Sequence, residues 1–400
     1  MSRNTKITFL TALTLIAIFM IVNLFKNKHS NNVERYVKVG FIYEGDDSTP
    51  YTANFIRAQR TLESTLEDKI VVEIRANVSE KDVESALLDL IDEHCDIIFT
   101  NSFEFGQHTK KIAMEHPNIE FCQATCLNAN EEPILKNYHT FMGEIYQGRF
   151  VSGVVAGMKL RELIQNGTIK AEQAKIGYVG AYPVPEVISG YTAFLLGIRS
   201  IVPSATMEVS YTHTWSNFVI EKKCAEKLIE RGCIIISQHS DTIGPAVATE
   251  ENYPNKTVFH IGYNQSMIDI APLTSLISTR IDWSPYIIGA VKAVIAKKPI
   301  ERGIRGNTHG NDIGAGFERG WVQMLELNST IAAKGTSQKI EQTIEAFKKH
   351  EQSVFVGNYV GINPNDRSEV YDLRNEYKEN TQTSAPSFNY IIEDIIKIIE

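Results

Sequence analysis

The sequence predicts an α/β protein of two parallel-sheet lobes behind an apolar N-terminal helix. Three observations carry this reading. Short apolar, β-branched runs alternate with helix-spaced segments from Tyr36 to Cys122. The same rhythm restarts after a long, small-residue helix pattern at Gly143–Ile164. Before both, Ile7–Phe25 (ITFLTALTLIAIFMIVNLF) runs for nineteen residues without a charge. Strand–helix–strand alternation places strands in parallel with helices as crossovers, the pattern of a doubly wound domain.

The N-terminal segment is long enough to cross a bilayer, about 28 Å at a rise of about 1.5 Å per residue. Arg3 and Lys6 precede it, Lys26 and Lys28 follow, and no small-residue cleavage pattern closes the run. It therefore reads as an uncleaved signal-anchor, with 1–6 as a short cytoplasmic tail, 7–25 as the membrane helix and 26–35 as a polar tether. Everything beyond the tether is expected outside the cytoplasm.

In the first set, YVKVGFIY (Tyr36–Tyr43), IVVEIRA (Ile70–Ala76), CDIIFT (Cys95–Thr100) and the start at Ile119–Cys122 are strands. Thr52–Leu66, Glu80–Glu93 and Phe105–His116 are the intervening helices. In the second set the strands are Lys175–Gly180, Glu208–His213, Cys233–Gln238 and Lys256–Ile261. Helices are expected at Pro185–Val202, at Val219–Arg231 and after Thr242. Further on come the strand LISTRI, a helix at Tyr286–Lys297, a Gly-rich stretch, a helix at Ser337–His350 and a late strand at Val354–Val356. The tail is polar and ends in the amphipathic run YIIEDIIKIIE (Tyr390–Glu400).

Composition fits an ordinary globular chain, at 43% hydrophobic and 22% charged residues, and excludes a disordered, collagen-like or multi-span membrane protein. With 40 Lys+Arg against 48 Asp+Glu the chain is acidic, so nucleic acid, which needs a basic face, is not an expected partner. Five cysteines form no even disulfide framework and read as single buried thiols, with pairing of Cys122 and Cys126 left open.

In open α/β sheets the crevice beyond the strand carboxyl ends binds ligands. Here those ends carry Glu44-Gly-Asp-Asp-Ser-Thr-Pro-Tyr51-Thr52, Asn101-Ser102-Phe103, Ala181-Tyr182-Pro-Val-Pro-Glu186 and Thr212-His-Thr-Trp215. His239-Ser-Asp241, Gly262-Tyr263-Asn264 and Asp282-Trp283 complete the set. Flat aromatic faces stack on planar rings, and acids, amides and hydroxyls supply directional hydrogen bonds. The candidate ligand-binding residues are Tyr51, Thr52, Ser102, Phe103, Tyr182, Trp215, Asp241, Asn264 and Trp283. A planar heterocycle suits them better than a sugar phosphate. The glycines from Gly303 to Gly320 lack the Lys-Ser/Thr ending of a phosphate loop. No nucleophile motif accompanies His239 and Asp241, so no catalytic residue, metal or cofactor is expected.

The segments VGFIYEG (Val39–Gly45), DIIFTNSFEFG (Asp96–Gly106), EIYQGRFVSGVVAG (Glu144–Gly157) and KIGYVGAYPVPEVISGYTAFLLGIRSIVP (Lys175–Pro203) occur in that order. THTW (Thr212–Trp215), IISQHSDT (Ile235–Thr242), IGYNQSM (Ile261–Met267) and DWSPY (Asp282–Tyr286) follow them. Together they resemble the Bmp family of ABC-transporter substrate-binding proteins (basic membrane protein or purine nucleoside receptor A-like), most closely its purine-base branch. The resemblance implies a type I periplasmic-binding-protein fold, with two Rossmann-like lobes, hinge crossovers and a purine base or nucleoside in the cleft. It assigns 36–145 with about 284–325 to the N-terminal lobe, 146–283 with about 326–362 to the C-terminal lobe, and leaves 363–400 as a tail. It also implies an ABC permease and ATPase as partners, a sensor without transport being the alternative. In the family's pattern Tyr51, Trp215 and Trp283 stand at aromatic positions, Asp241 at an acid, and Ser102 and Phe103 in a cleft-lining loop. The first loop lacks the usual glycine before its aromatic. Asn264 replaces an acid suited to a ribose hydroxyl pair, which tilts the expectation towards a free base. The family's lipid-bearing cysteine is absent, and the Ile7–Phe25 helix is expected to take its place.

Overall fold

A computed structural model describes residues 36–399. The expected anchor Ile7–Phe25 lies outside the described residues; among those described, no helix is long and apolar enough to cross a membrane. The chain first lays down β1 (Val37–Ile42), α1 (Pro50–Leu66), β2 (Ile70–Arg75), α2 (Val83–Asp92), β3 (Ile97–Thr100), α3 (Gly106–Glu115), β4 (Glu120–Ala124) and β5 (Tyr138–Gly143). It then crosses over through α4 (Ile145–Gln165) to β6 (Lys175–Gly180), α5 (Pro185–Arg199), β7 (Thr206–Tyr211) and α6 (Phe218–Glu230). β8 (Ile235–His239), α7 (Gly244–Asn252), β9 (Phe259–Tyr263) and β10 (Ser275–Ile281) complete the second run. A return crossing leads to α8 (Ser284–Ile295), the single turn α9 (Ile300–Gly303), β11 (Asn307–His309) and β12 (Asp312–Ala315). A third crossing leads to β13 (Val322–Met324) and α10 (Thr336–Lys348).

Two seven-stranded sheets result, the first in the order β11-β12-β5-β4-β3-β1-β2. The second runs β13-β10-β9-β8-β6-β7, with a strand from the tail at its far edge. The sheets are mixed where all-parallel sheets were expected. β11 is antiparallel to β12, and β13 is antiparallel to β10. Both are three-residue edge strands, β11 turning tightly into β12 and β13 entering from the third crossing, and an edge has no crossover helix to impose direction. β5 is a strand that the sequence reading missed. Val354–Val356 forms no strand, only a bridge from Phe355 to Tyr377.

The two halves share one apolar core at the crossings. Phe141 stacks on Tyr286 at 3.8 Å, and Phe55 stacks on Trp283 at 4.4 Å. The small face read in Gly143–Ile164 has a clear use. A Cβ on Gly153 would stand 2.0 Å from the Phe194 carbonyl oxygen, and one on Gly197 2.1 Å from that of Phe150. α4 and α5 therefore pack backbone to backbone, which only glycine permits there.

The tail, read as a separate polar segment with an amphipathic end, is built into both halves. It contains β14 (Val360–Ile362), β15 (Val370–Asp372), β16 (Ile391–Ile392) and β17 (Ile396–Ile399). β17 pairs in parallel with β7, so Ile396 faces Met207 and Ile399 faces Ser210. Upstream, Ser384 donates its N–H and hydroxyl to the buried Asp312 carboxylate of β12, at 2.5 and 2.6 Å. The run YIIEDIIKIIE breaks into two short strands because Asp394 takes a left-handed turn (φ 62°) between them.

Candidate ligand-binding site

The carboxyl ends of β1, β3 and β4 face those of β6, β7, β8 and β9 across a tight cavity of about 30 Å³. The outer recess beside it, about 440 Å³, lies in the usual range for small-molecule sites, about 300–1,000 Å³. Glu44, Tyr51, Ser102, Phe103 and Thr125 line the cavity from the first lobe. Glu186, Trp215, His239, Asp241 and Tyr263 line it from the second. The recess shares Glu44, Tyr51, Trp215 and Asp241 with it and adds Tyr182 and Glu104.

On the first lobe, the Asn101 side-chain oxygen accepts the Glu44 N–H at 3.0 Å, and the Tyr51 hydroxyl donates to the Asn101 carbonyl at 2.5 Å. These bonds tie the first turn of α1 to the ends of β1 and β3. Gln123, buried at the end of β4, donates to the Ser102 carbonyl at 2.7 Å and fixes the loop that carries Phe103. Thr125 has φ +63°. For a β-branched residue this is a strained conformation, costing about 1–3 kcal/mol, and such strain collects at functional sites.

On the second lobe, α6 starts at Asn217, whose side chain accepts the Ile220 N–H, while Glu221 reaches back to the Asn217 N–H. The other Glu221 oxygen accepts from the Ser240 hydroxyl at 2.7 Å and the Thr242 N–H at 3.1 Å. That buried carboxylate holds the loop presenting Asp241. The Asp241 N–H donates to the Trp215 carbonyl at 2.8 Å, which joins the two ligand-facing loops. Trp215 meets Tyr182 edge-on at 5.5 Å.

The electrostatics are dominated by acids. Burial pushes the Glu44 carboxyl up; a Ser102 hydrogen bond opposes this, and Glu104 and Glu186 add to it. Burial, then Glu44, Glu221 and Glu186, hold Asp241 well above the usual carboxylate range. The compensating cation is Arg149 of α4, whose guanidinium lies 3.7 Å over the Tyr263 ring and donates to the Gln238 carbonyl at 2.8 Å. Burial and Arg149 lower His239 to about 4, so its ring is neutral at neutral pH. Its Nε2 stands 3.4 Å from the Glu186 carboxylate and donates to it.

Of the residues expected from the sequence, Tyr51, Ser102, Phe103, Trp215 and Asp241 line the cavity, and Tyr182 lines the outer recess. Three stand behind the wall. Trp283 is buried at the crossing, where Phe55 and Phe141 enclose it. Asn264 is buried, accepts from Asn54 at 3.1 Å and donates to Asp241 at 3.3 Å. Thr52 is buried with its hydroxyl unpartnered among the described residues. A side chain's direction at a strand end depends on the loop that follows, which sequence alone does not fix. Glu44, Glu186, His239 and Tyr263 lay in the strand-end segments but were not among the candidates. Thr125 had only one signal, its place just after β4. All five cysteines are free, Cys122 and Cys126 included.

Two α/β lobes, three crossings and one cavity between opposed strand ends define a two-lobed solute-binding protein. Solved structures agree in fold. A solute-binding protein of Aeropyrum pernix K1 matches with a TM-score of 0.63 at 14% identity, covering 79% of this chain and 92% of that one. One of Conexibacter woesei gives 0.59 at 16% identity, covering 79% and 97%. The chain belongs to the Bmp family, ABC transporter substrate-binding proteins that are PnrA-like, whose model matches residues 36–354. Among relatives, a purine-binding protein of Brucella abortus is 28% identical over 328 residues, which are 82% of this chain and 85% of that protein. A Haloferax volcanii protein provisionally named an ABC transporter glucose-binding protein is 26% identical over 291 residues, 73% of this chain and 67% of that one.

Proposed function

We propose that this substrate-binding protein is held at the outer face of the membrane by Ile7–Phe25, closes on a purine base or nucleoside, and delivers it to an ABC permease and its ATPase. The observation that carries the reading is the cavity and the recess sharing its lining, to which the strand ends of both lobes contribute aromatic walls, Tyr51 and Phe103 on one side and Trp215 and Tyr263 on the other. A planar ring inserted there bridges the lobes. Such a ligand stabilises the closed arrangement by its differential affinity for it, with the three crossings as hinge.

The free base is favoured over the nucleoside. Asn264, at the position where an acid would serve a ribose, spends both ends of its amide on Asn54 and Asp241. The cavity also lacks a phosphate cradle. Its cation, Arg149, lies against Tyr263 and is not part of the lining. A hydrolytic or transfer role has no support from the His239–Asp241 neighbourhood, because no Ser or Cys nucleophile lines the cavity beyond the loop residue Ser102.

The test is mass spectrometry of small molecules released by denaturing the purified full chain. A purine is expected at close to one per protein. Recovery of a hexose without any purine would overturn the ligand class.

A further inference from the structure

A line of four polar side chains runs from the first lobe into the second and ends at the binding site. The Arg57 guanidinium, on α1, donates to the Asn54 side-chain oxygen at 2.5 Å. Asn54 gives its NH₂ to the Asn264 oxygen at 3.1 Å, and Asn264 gives its NH₂ to Asp241 Oδ1 at 3.3 Å. Arg57 fixes the direction of the line, because a guanidinium only donates. The Asn54 oxygen must face it, and each amide beyond follows in turn. Asn54 and Asn264 are 3% and 2% exposed, so the bond between them lies out of water. That bond is where the line crosses between lobes: α1 joins β1 to β2 of the first sheet, and Asn264 follows β9 of the second.

Asn264 is held firmly in its place. It sits at φ +66°, a left-handed conformation that Asn tolerates better than most residues, and its N–H donates to the Thr279 carbonyl of β10 at 2.9 Å. Asp241 lines the cavity, and neither asparagine does. With Oδ1 of Asp241 taken by Asn264, the other oxygen is the one left for a ligand. Burial, then Glu44, Glu221 and Glu186, push Asp241 towards its protonated form, and the proton then belongs on that other oxygen as a donor.

Resting on the reading that the lobes close on a purine, we propose that Asn54 and Asn264 form an inter-lobe latch, with Asn264 as the positioning residue that ties closure to the orientation of Asp241. Opening the cleft separates the two asparagines and breaks the bond between them. Closing remakes it and turns the same Asp241 oxygen to the ligand each time. A bond present only in the closed form slows release and leaves encounter unchanged. An ionised acid at position 264 could not complete the line, having no hydrogen to give Asp241.

The experiment is stopped-flow tryptophan fluorescence of the full chain, stripped of bound ligand, with adenine, guanine and hypoxanthine. Asn54→Ala is expected to raise the dissociation rate about 3- to 10-fold, with an association rate within about 2-fold of wild type. Asn54→Leu keeps the bulk of the side chain without its polar atoms and is expected to do the same. Asn264→Ala, which also frees Asp241, is expected to raise the dissociation rate further. In that background Asn54→Ala should add nothing, because the latch is already gone. Unchanged dissociation in both Asn54 variants, or single effects that add in full, would overturn the inference while leaving the purine reading intact. So would a rise with Asn54→Ala that Asn54→Leu does not share, since that is the signature of packing. Absence of signal from wild type with all three bases would overturn the purine reading itself, and this inference with it.

Discussion

His139, the second residue of β5, offers the sharpest stability prediction. It lies at the amino ends of the strands, the pole of the first lobe opposite the ligand. Its side chain is 3% exposed and held between Glu301 at Nδ1 and Glu120 at Nε2, the latter at 2.9 Å. Burial alone would lower its pKa, but the two carboxylates outweigh it and raise it from 6.5 to about 9. A folded-state pKa above the unfolded one means the protonated ring stabilises the fold. That contribution is complete below about pH 6.5 and is lost as pH rises through about 9. At about 1.4 kcal/mol per decade the gap corresponds to about 3 kcal/mol, and solvent screening of the 36%-exposed Glu120 reduces it to about 2–3. The assay is urea unfolding of wild type and His139→Gln at intervals from pH 6 to pH 10. Wild type should lose about 2–3 kcal/mol more than the variant across that range. Two curves that fall in parallel would refute the argument, because the lost stability would then come from other groups.

Three further outcomes are expected. Trp215→Ala should weaken purine binding by about 1–3 kcal/mol, the usual loss of one stacking face, with little change in melting temperature; unchanged affinity in calorimetry would remove Trp215 from the site. Gly153→Ala should destabilise by about 1–3 kcal/mol or more, because the new methyl meets the Phe194 carbonyl; a wild-type melting curve would show that α4 and α5 can separate at little cost. Asp312→Ala should cost about 2–4 kcal/mol, since it strips acceptors from the Ser384 N–H and hydroxyl and from Thr140. Ser384→Ala should cost less, and equal thermal melts for both variants and wild type would mean that the tail's clasp contributes nothing.

Local pattern was enough to find most of the regular structure. The strand read at Lys175–Gly180 has the same bounds in the fold, and the helix read at Pro185–Val202 runs Pro185–Arg199. Pro185 sets φ for the first turn, and a buried β-strand is a short apolar run whatever its neighbours. The errors fall where the chain needs a partner distant in sequence. β5 (YHTFMG) sets His and Thr side by side and ends in Gly, with no apolar alternation, and it becomes a strand because β4 and β12 flank it. Val354–Val356 has the composition of a strand but pairs only through the single bridge from Phe355 to Tyr377. Ile396–Ile399 finds an open sheet edge, on β7.

The sequence by itself determined the two-lobed α/β plan, the location of the binding crevice at strand carboxyl ends and an aromatic set of candidates interspersed with acids, amides and hydroxyls. Those follow from period and from position relative to the strands, which are local properties. Tertiary structure alone decided which of the candidates reach the cavity. Trp283 and Trp215 both follow a strand closely, yet one is enclosed by Phe55 and Phe141 and the other lines the cavity. It also decided that Glu44, Glu186 and Asp241, far apart in the chain, line one cavity from its two sides, and that Arg149 offsets their charge from behind Tyr263. Electrostatic interaction depends on distance in space, and only packing sets that distance.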